Sequence, residues 1–382
     1  MTQAIDFDDI TNYADRDIPD AMQRLLADNE FVSIVLKLLA PIDKQQLTTL
    51  LLSIRTAYEF KFKVIYPVFK RIMDKTSKGF TCTGVAYLDN PGLIISNHRD
   101  IVMDPSLVNL ALMQQQRDTS AIAIGDNLLT LPWIKELVRV CGAFIVKRQE
   151  KTAKAYAQLS AYIYKVINEE RRLLWIAQRE GRAKDSNDQT QESILKMFTF
   201  LGEGTFMERL QRLNVIPTSI SYEYDPCDYL KAQELIRRHV NPDYKKAPGE
   251  DVFSMRTGIM GQKGRIHITY TGPITDELTQ IAVTTPRRVD QVEAVKQLID
   301  KRIFSSYQFF PINYVAYDLR HNTNRFADRY TEEERTEAVD YLKSRVALSE
   351  LPEANHAELW DTLLAIYSNT LCNHLKTCEE KK

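Results

Sequence analysis

Several things are scarce in this chain, and each scarcity closes a door. It has five cysteines in 382 residues: Cys82, Cys141, Cys227, Cys372 and Cys378. The set is odd, scattered and without a Cys-x2-Cys pair, which excludes a disulfide framework and suits a reducing compartment. Cys372, His374 and Cys378 lie close in sequence but lack metal-ligand spacing and a fourth partner, so no metal site is expected. Long apolar runs are missing too. The longest, Phe31 to Ile42, covers about 12 residues and includes Lys37, well short of the roughly 20 a bilayer crossing needs, so no transmembrane helix is expected. The acidic start around Asp6, Asp8 and Asp9 has no basic stretch ahead of an apolar core, which argues against a secretory signal. Excess charge of either sign is absent, with 50 Lys and Arg against 51 Asp and Glu. Without a global basic field or regular basic and aromatic interleaving, nucleic acid is not an expected partner. There is no Gly-x-Ser-x-Gly elbow, which disfavours a serine hydrolase, and no repeat or low-complexity tract.

What is present is ordinary globular material, 44% hydrophobic and 26% charged, enough to bury one large core or two smaller ones. Residues 18–78 show helical apolar spacing, as in Met22, Leu25 and Leu26, and then Leu47, Leu50 and Leu51. Within them, Tyr58 to Lys75 interleaves Phe60, Phe62, Tyr66 and Phe69 with Lys61, Lys63, Lys70 and Arg71. Two accounts fit this segment: a packed helix whose lysines reach into water, or a membrane-interface element. Pro67 argues against one regular helix. From about residue 79 short apolar runs alternate with amphipathic stretches. Strands are expected at 79–88, 92–97, 119–124, 143–147, 173–177, 215–224 and 265–272. Helices are expected near 105–116, 132–141, 151–171, 189–200, 206–214 and 287–305, with a Gly-rich connection around Gly258, Gly261 and Gly264. This is the pattern of an α/β domain with a sheet flanked by helices. Thr331 followed by Glu332, Glu333 and Glu334 marks a capped helix start, and another helix begins near Glu353.

Chemistry concentrates where apolar runs end. After Gly92-Leu93-Ile94-Ile95 comes Ser96-Asn97-His98-Arg99-Asp100-Ile101-Val102-Met103-Asp104-Pro105. Asp104-Pro105 reads as a helix start, the Asp capping free N–H groups and the Pro having none to lose. His98 then sits in the loop ahead of it, and a carboxylate held at a helix N-terminus can orient an imidazole as general base. Asp104 is the preferred partner and Asp100 the alternative. Further on come Gly125-Asp126-Asn127, then Gly142-Ala143-Phe144-Ile145-Val146-Lys147-Arg148, then Gln178-Arg179-Glu180-Gly181-Arg182-Ala183-Lys184, then Val215-Ile216-Pro217. Arg182 and Lys184 are two apart, so both can face one ligand in an extended loop, and Arg can grip a phosphate through two N–H groups. Asp126 and Asn127 read as turn formers, and Pro217 as a strand-edge residue shaping an apolar wall.

In order and type these blocks resemble the motifs of the glycerolipid acyltransferases, which include glycerol-3-phosphate and lysophosphatidic acid acyltransferases. The resemblance runs over roughly residues 80 to 225, and its third block is most similar to the glycerol-3-phosphate branch. The family's first motif, Asn-His-x4-Asp, places the carboxylate five steps from the histidine; here the step from His98 to Asp104 is six. A loop residue inserted before the Asp-Pro helix start accounts for this, with Asp104 both capping the helix and orienting His98. Amides of that loop or helix start are candidate donors to a developing oxyanion.

The resemblance implies an acyltransferase-like domain over 79–315, between a helical N-terminal region (1–78) and a helical C-terminal appendage (316–382). It implies transfer of a fatty acyl group from acyl-CoA or acyl carrier protein to a hydroxyl of glycerol 3-phosphate, with acylation of 1-acyl-glycerol 3-phosphate or another lysolipid as the alternative. A non-catalytic lipid-binding protein is the alternative of another class. His98 and Asp104 would be catalytic. Lys147, Arg148, Glu180, Gly181, Arg182 and Lys184 would bind the acceptor, whereas Arg179 has no family counterpart and is left outside the site. No cofactor is implied beyond the thioester donor. The expected location is the cytoplasm, with peripheral contact at the inner face of a membrane through residues 58–75.

Overall fold

The computed structural model describes residues 5–148, 150 and 152–379. Among these, seven strands form one sheet: β1 (Gly79–Thr83), β2 (Gly92–Ser96), β3 (Ala121–Gly125), β4 (Ala143–Val146), β5 (Leu173–Ala177), β6 (Val215–Tyr222) and β7 (Arg265–Tyr270). The spatial order is β1-β7-β6-β2-β5-β3-β4. All neighbours are parallel except β6 and β7, so the sheet is mixed and the fold is α/β, flanked by helices. In β2, Leu93, Ile94 and Ile95 are all fully buried, as expected of a parallel strand covered on both faces. Their side chains alternate: Leu93 and Ile95 join the core on one side of the sheet, and Ile94 joins the core on the other.

Two of the expected segments differ. The first strand ends at Thr83 rather than 88, because Gly84 takes φ +74° and a side chain there would lie 2.1 Å from the Tyr270 carbonyl oxygen; the chain turns into a short 3-10 segment instead. Only part of the Gly-rich stretch is a connection: Gly258 is buried inside a helix, Glu250–Met260, while Gly261 ends that helix and Gly264 lies in the link to β7. Helices at Thr275–Thr284 and Pro311–His321 also form where no element was expected. Thr331 does cap its helix, with Glu334 completing a capping box.

The helices before β1 build a core of their own around Met22, Leu25, Leu47, Leu51 and Phe60, closed by Val140 from the helix Pro132–Val140. The helices Asp228–Val240, Pro311–His321, Glu332–Ala347 and His356–Glu379 share another. Pro67 sits in the first turn of Tyr66–Thr76, directly after a wide π-type turn at Lys61–Ile65. In that region Phe60 and Lys61 are buried, and Lys61 donates to Asp118 at 2.6 Å. Tyr58, Phe62 and Tyr66 form a ladder, with ring centroids 4.3 and 6.3 Å apart. No helix among the described residues is long and apolar enough to cross a membrane.

Candidate active site

Because β2, β3, β4 and β5 are parallel, their C-terminal ends lie along one edge of the sheet, the place where α/β sheets usually bind ligands. The His98, Gly125, Lys147–Arg148 and Arg179–Lys184 blocks all follow these ends. Asn97 fixes the first. Its side chain donates to the Ile220 carbonyl and accepts from the Ile220 N–H, at 2.9 and 2.8 Å, so the chain leaving β2 is stapled to β6. Trp175 of β5 donates to Ser96 Oγ at 3.0 Å and sets its ring edge-on to His98, centroids 5.8 Å apart.

His98 Nδ1 lies 2.8 Å from Asp104 Oδ2. The carboxylate can only accept, so the neutral ring carries its proton on Nδ1 and leaves Nε2 free. Asp104 is fully buried. The same oxygen accepts from the backbone N–H of Arg99 at 2.6 Å and of Asp100 at 3.0 Å, while Oδ1 accepts from the Tyr222 hydroxyl at 2.8 Å. Burial and the neighbouring Asp104 raise the Tyr222 hydroxyl well above its ordinary range, which keeps it a donor.

The expected double role for Asp104 is not what forms. The helix starts two residues earlier than expected, at Met103, and Asp104 lies in its first turn with the side chain folded back onto the loop. The N-cap position is Val102, and the capping bonds come from Asp100 two residues ahead, whose Oδ1 accepts from Val102 N–H and Met103 N–H at 2.9 and 2.8 Å. Its Oδ2 has no donor among the described residues and faces Gly258, where a Cβ would lie 1.9 Å away. Burial, and then Asp104, push the Asp100 carboxyl above its ordinary range. The six-step spacing thus reflects a loop closed by two carboxylates: Asp104 serves His98 and the loop amides, and Asp100 serves the helix. Among the candidate oxyanion donors, the N–H groups of Arg99, Asp100, Val102 and Met103 are occupied by these side chains.

His98 stands where two cavities meet. One, of about 270 Å³, is lined mainly by apolar groups such as Ile10, Ala123, Ile145, Leu159 and Met197. The other, of about 560 Å³, is lined by Arg148, Arg179, Arg182, Lys184, Arg238 and Lys246 along with several carboxylates. Arg148, Arg179, Glu180 and Gly181 border both. The expected binding residues therefore separate. Arg182 is buried and reaches Ser254 Oγ at 3.4 Å. Lys184 is held by Glu234 at 2.7 Å; burial lowers its ammonium to about 7, with Arg182 adding to the effect. Lys147 borders only the apolar cavity and is paired with Asp9 at 2.5 Å and Glu150 at 3.4 Å. Glu180 is exposed, and Gly181 turns the chain at φ +69°.

Gly125 and Asp126 do more than form a turn. Asp126 Oδ1 accepts from the Arg148 N–H at 3.2 Å, and a side chain at Gly125 would lie 2.5 Å from Arg148 Nε. Pro217 is not on a sheet edge and lines neither cavity: β6 lies between β7 and β2, and the Pro217 carbonyl accepts from Thr271 N–H where the β7 ladder stops. Sequence reading missed Tyr222, Ser254 and Gly258, which come from elements far along the chain, and set aside Arg179, whose position two residues past a strand end was the available signal. Among the described residues, no group of three or more His, Cys, Asp or Glu is arranged to hold a metal.

Comparison with known proteins agrees with these motifs. A family model described as Acyltransferase matches residues 79–213. No curated protein matches the chain. Among solved structures, the 1-acyl-sn-glycerophosphate (LPA) acyltransferase PlsC from Thermotoga maritima is 10% identical, over 74% of this chain and 91% of that one, with a TM-score of 0.37. The family match takes in β1 to β5 and every motif from His98 to Lys184, and leaves the Tyr222, Ser254 and Gly258 supports outside it. Over residues 79–213, about a third of its length, the chain is similar to the acyltransferase family.

Proposed function

We propose that the protein moves a fatty acyl group from a thioester donor, acyl-CoA or acyl carrier protein, to a hydroxyl of glycerol 3-phosphate. The observation that carries this reading is the place of His98 between an apolar cavity and a cationic one. Such a junction suits a reaction that joins a hydrocarbon chain to a phosphorylated alcohol. The acyl chain lies in the apolar cavity, and the acceptor phosphate lies against Arg148 and Arg182 in the cationic one. Lys184, tied to Glu234, and Lys147, tied to Asp9, contribute field rather than direct grip. Glu180 and Gly181 border the space between and face the glycerol.

His98 Nε2 takes the hydroxyl proton as the oxygen attacks the thioester carbonyl. The imidazolium so formed is stabilised through Nδ1–H by Asp104. It then returns the proton to the departing thiolate as the tetrahedral intermediate collapses to an ester and a free thiol. A positioned base of this kind contributes roughly 10²- to 10⁴-fold. No metal or organic cofactor enters the sequence of steps. The chain works in the cytoplasm at the inner face of a membrane, which it touches through the half-exposed Tyr58, Phe62 and Tyr66 ladder, flanked by Lys63 and Lys70.

The test is an acyl-transfer assay on purified protein, pairing acyl-CoA and acyl carrier protein donors with glycerol 3-phosphate and its 1-acyl derivative. Ester formation fastest with glycerol 3-phosphate is expected. A preference for the 1-acyl derivative would reassign the acceptor, and no transfer to either would leave a lipid-binding role.

A further inference from the structure

We infer that Arg179 is an anion-binding residue of the acceptor pocket, completing with Arg148 and Arg182 a three-guanidinium grip on a phosphate monoester. The inference rests on the acyltransferase reading for which molecule carries the phosphate, but the anion site itself is argued from charge and packing. Six basic side chains line the cationic cavity, and they fall into two groups. Lys184, Arg238 and Lys246 are already neutralised: Glu234 takes Lys184 at 2.7 Å, Arg238 at 3.1 Å and Lys246 at 3.5 Å, and Asp251 takes Lys246 at 2.6 Å. Arg148, Arg179 and Arg182 form no ion pair with any carboxylate among the described residues, and two of them, Arg148 and Arg179, border both cavities as His98 does.

Two of the three carry buried N–H groups with no acceptor among the described residues, Arg179 at Nε and Arg182 at Nη1. A buried guanidinium donor without an acceptor is a standing penalty that an anion in the cavity relieves. The buried carboxylate of Asp188, which feels the charge of Arg179, is engaged by Arg99 at 2.9 Å and makes no ion pair with Arg179. The main chain on either side of Arg179 is anchored. The Gln178 N–H donates to the Ser96 carbonyl at 2.8 Å, and the Glu180 N–H donates to Gln191 Oε1 at 2.7 Å. The loop therefore delivers this guanidinium to the junction instead of leaving it to wander over the surface. A phosphate monoester offers two negative charges and three terminal oxygens, and Arg forks bind such groups through paired hydrogen bonds. One glutamate, Glu180, borders the same junction, but it is exposed and free to turn toward hydroxyl groups.

The experiment is calorimetric titration of the full-length protein with glycerol 3-phosphate and with inorganic phosphate, with no acyl donor present, for wild type, Arg179→Ala and Arg179→Lys. Steady-state KM values for both substrates and thermal melts are measured alongside. Arg179→Ala is expected to weaken glycerol 3-phosphate binding at least tenfold, with Arg179→Lys intermediate, the melting temperature little changed and the donor KM within twofold. Unchanged binding in Arg179→Ala overturns the inference, as does absence of binding by the wild type. A raised donor KM with intact glycerol 3-phosphate binding also overturns it, because the anion would then belong to the donor. The two readings fail separately. Wild type that binds phosphate through Arg179 yet transfers no acyl group sinks the proposed function alone, whereas acyl transfer indifferent to Arg179→Ala sinks only this inference.

Discussion

Asp104→Asn and Asp100→Asn remove the same charge from the same loop and should have opposite consequences. Asp104 accepts four hydrogen bonds, three on Oδ2 and one on Oδ1. An asparagine can keep its carbonyl oxygen toward His98, Arg99 N–H and Asp100 N–H and turn its NH₂ toward Tyr222, whose hydroxyl only needs to rotate to become the acceptor. The fold survives that exchange, but three charge-assisted bonds become neutral ones, for a stability loss of about 1–3 kcal/mol. Catalysis suffers more. The tautomer is preserved, yet the charge that stabilises the imidazolium is gone, so kcat should fall by roughly 10²- to 10³-fold. At Asp100, by contrast, an asparagine oxygen keeps both cap bonds and its NH₂ replaces a buried oxygen that has no donor among the described residues. Burial raises the Asp100 carboxyl, so its charged form costs stability at neutral pH and Asp100→Asn should be neutral to stabilising, with activity within a few-fold of wild type. Initial rates of thiol release at saturating substrate, together with thermal melts at pH 7.5, measure both. Loss of turnover in Asp100→Asn with near-normal Asp104→Asn would refute the assignment.

Three further outcomes follow from contacts around the site. Gly258→Ala places a methyl 1.9 Å from Oδ2 of the buried Asp100 side chain, and should destabilise the fold by about 1–3 kcal/mol in chemical denaturation; a wild-type midpoint would mean the loop yields freely. Gly125→Ala crowds Arg148 Nε at 2.5 Å and should raise the KM for glycerol 3-phosphate several-fold while leaving the KM for the acyl donor alone; equal changes in both would remove Arg148 from the phosphate. Asp300 is raised to about 6 by burial, against two bonds from Thr190 that lower it. Its folded value exceeds its unfolded one, so stability falls as pH rises from near 4 through 6. Asp300→Asn, which keeps both Thr190 bonds, should therefore raise Tm at pH 8 and lose that advantage near pH 4; a gain independent of pH would contradict the burial argument.

The sheet was readable in the sequence because its strands are buried runs punctuated by turns. Leu93-Ile94-Ile95 and Leu173-Leu174-Trp175-Ile176 announce themselves whatever surrounds them. The helix over Gly258 was not readable, since glycine is a poor helix former and its reason for being there is Asp100, more than a hundred residues away. Local spacing also misassigned the cap. Asp104-Pro105 has the right residues for a helix start, but tertiary bonds to His98 and Tyr222 claim Asp104, and Asp100 supplies the capping bonds in its place. The cationic residues were found by type, while their division into paired and unpaired groups depends on Glu234, Asp251 and Asp9, which no motif links to them.

The central claim is that His98, backed by Asp104, takes the proton from a phosphorylated alcohol at the meeting point of two cavities. It is tested most directly by the rate of thiol release from acyl-CoA in the presence of glycerol 3-phosphate, comparing wild type with His98→Ala after calorimetry has established that both bind the acceptor equally. The account predicts a fall of at least roughly a hundredfold in kcat with unchanged acceptor affinity. Retention of more than half the wild-type rate would contradict it.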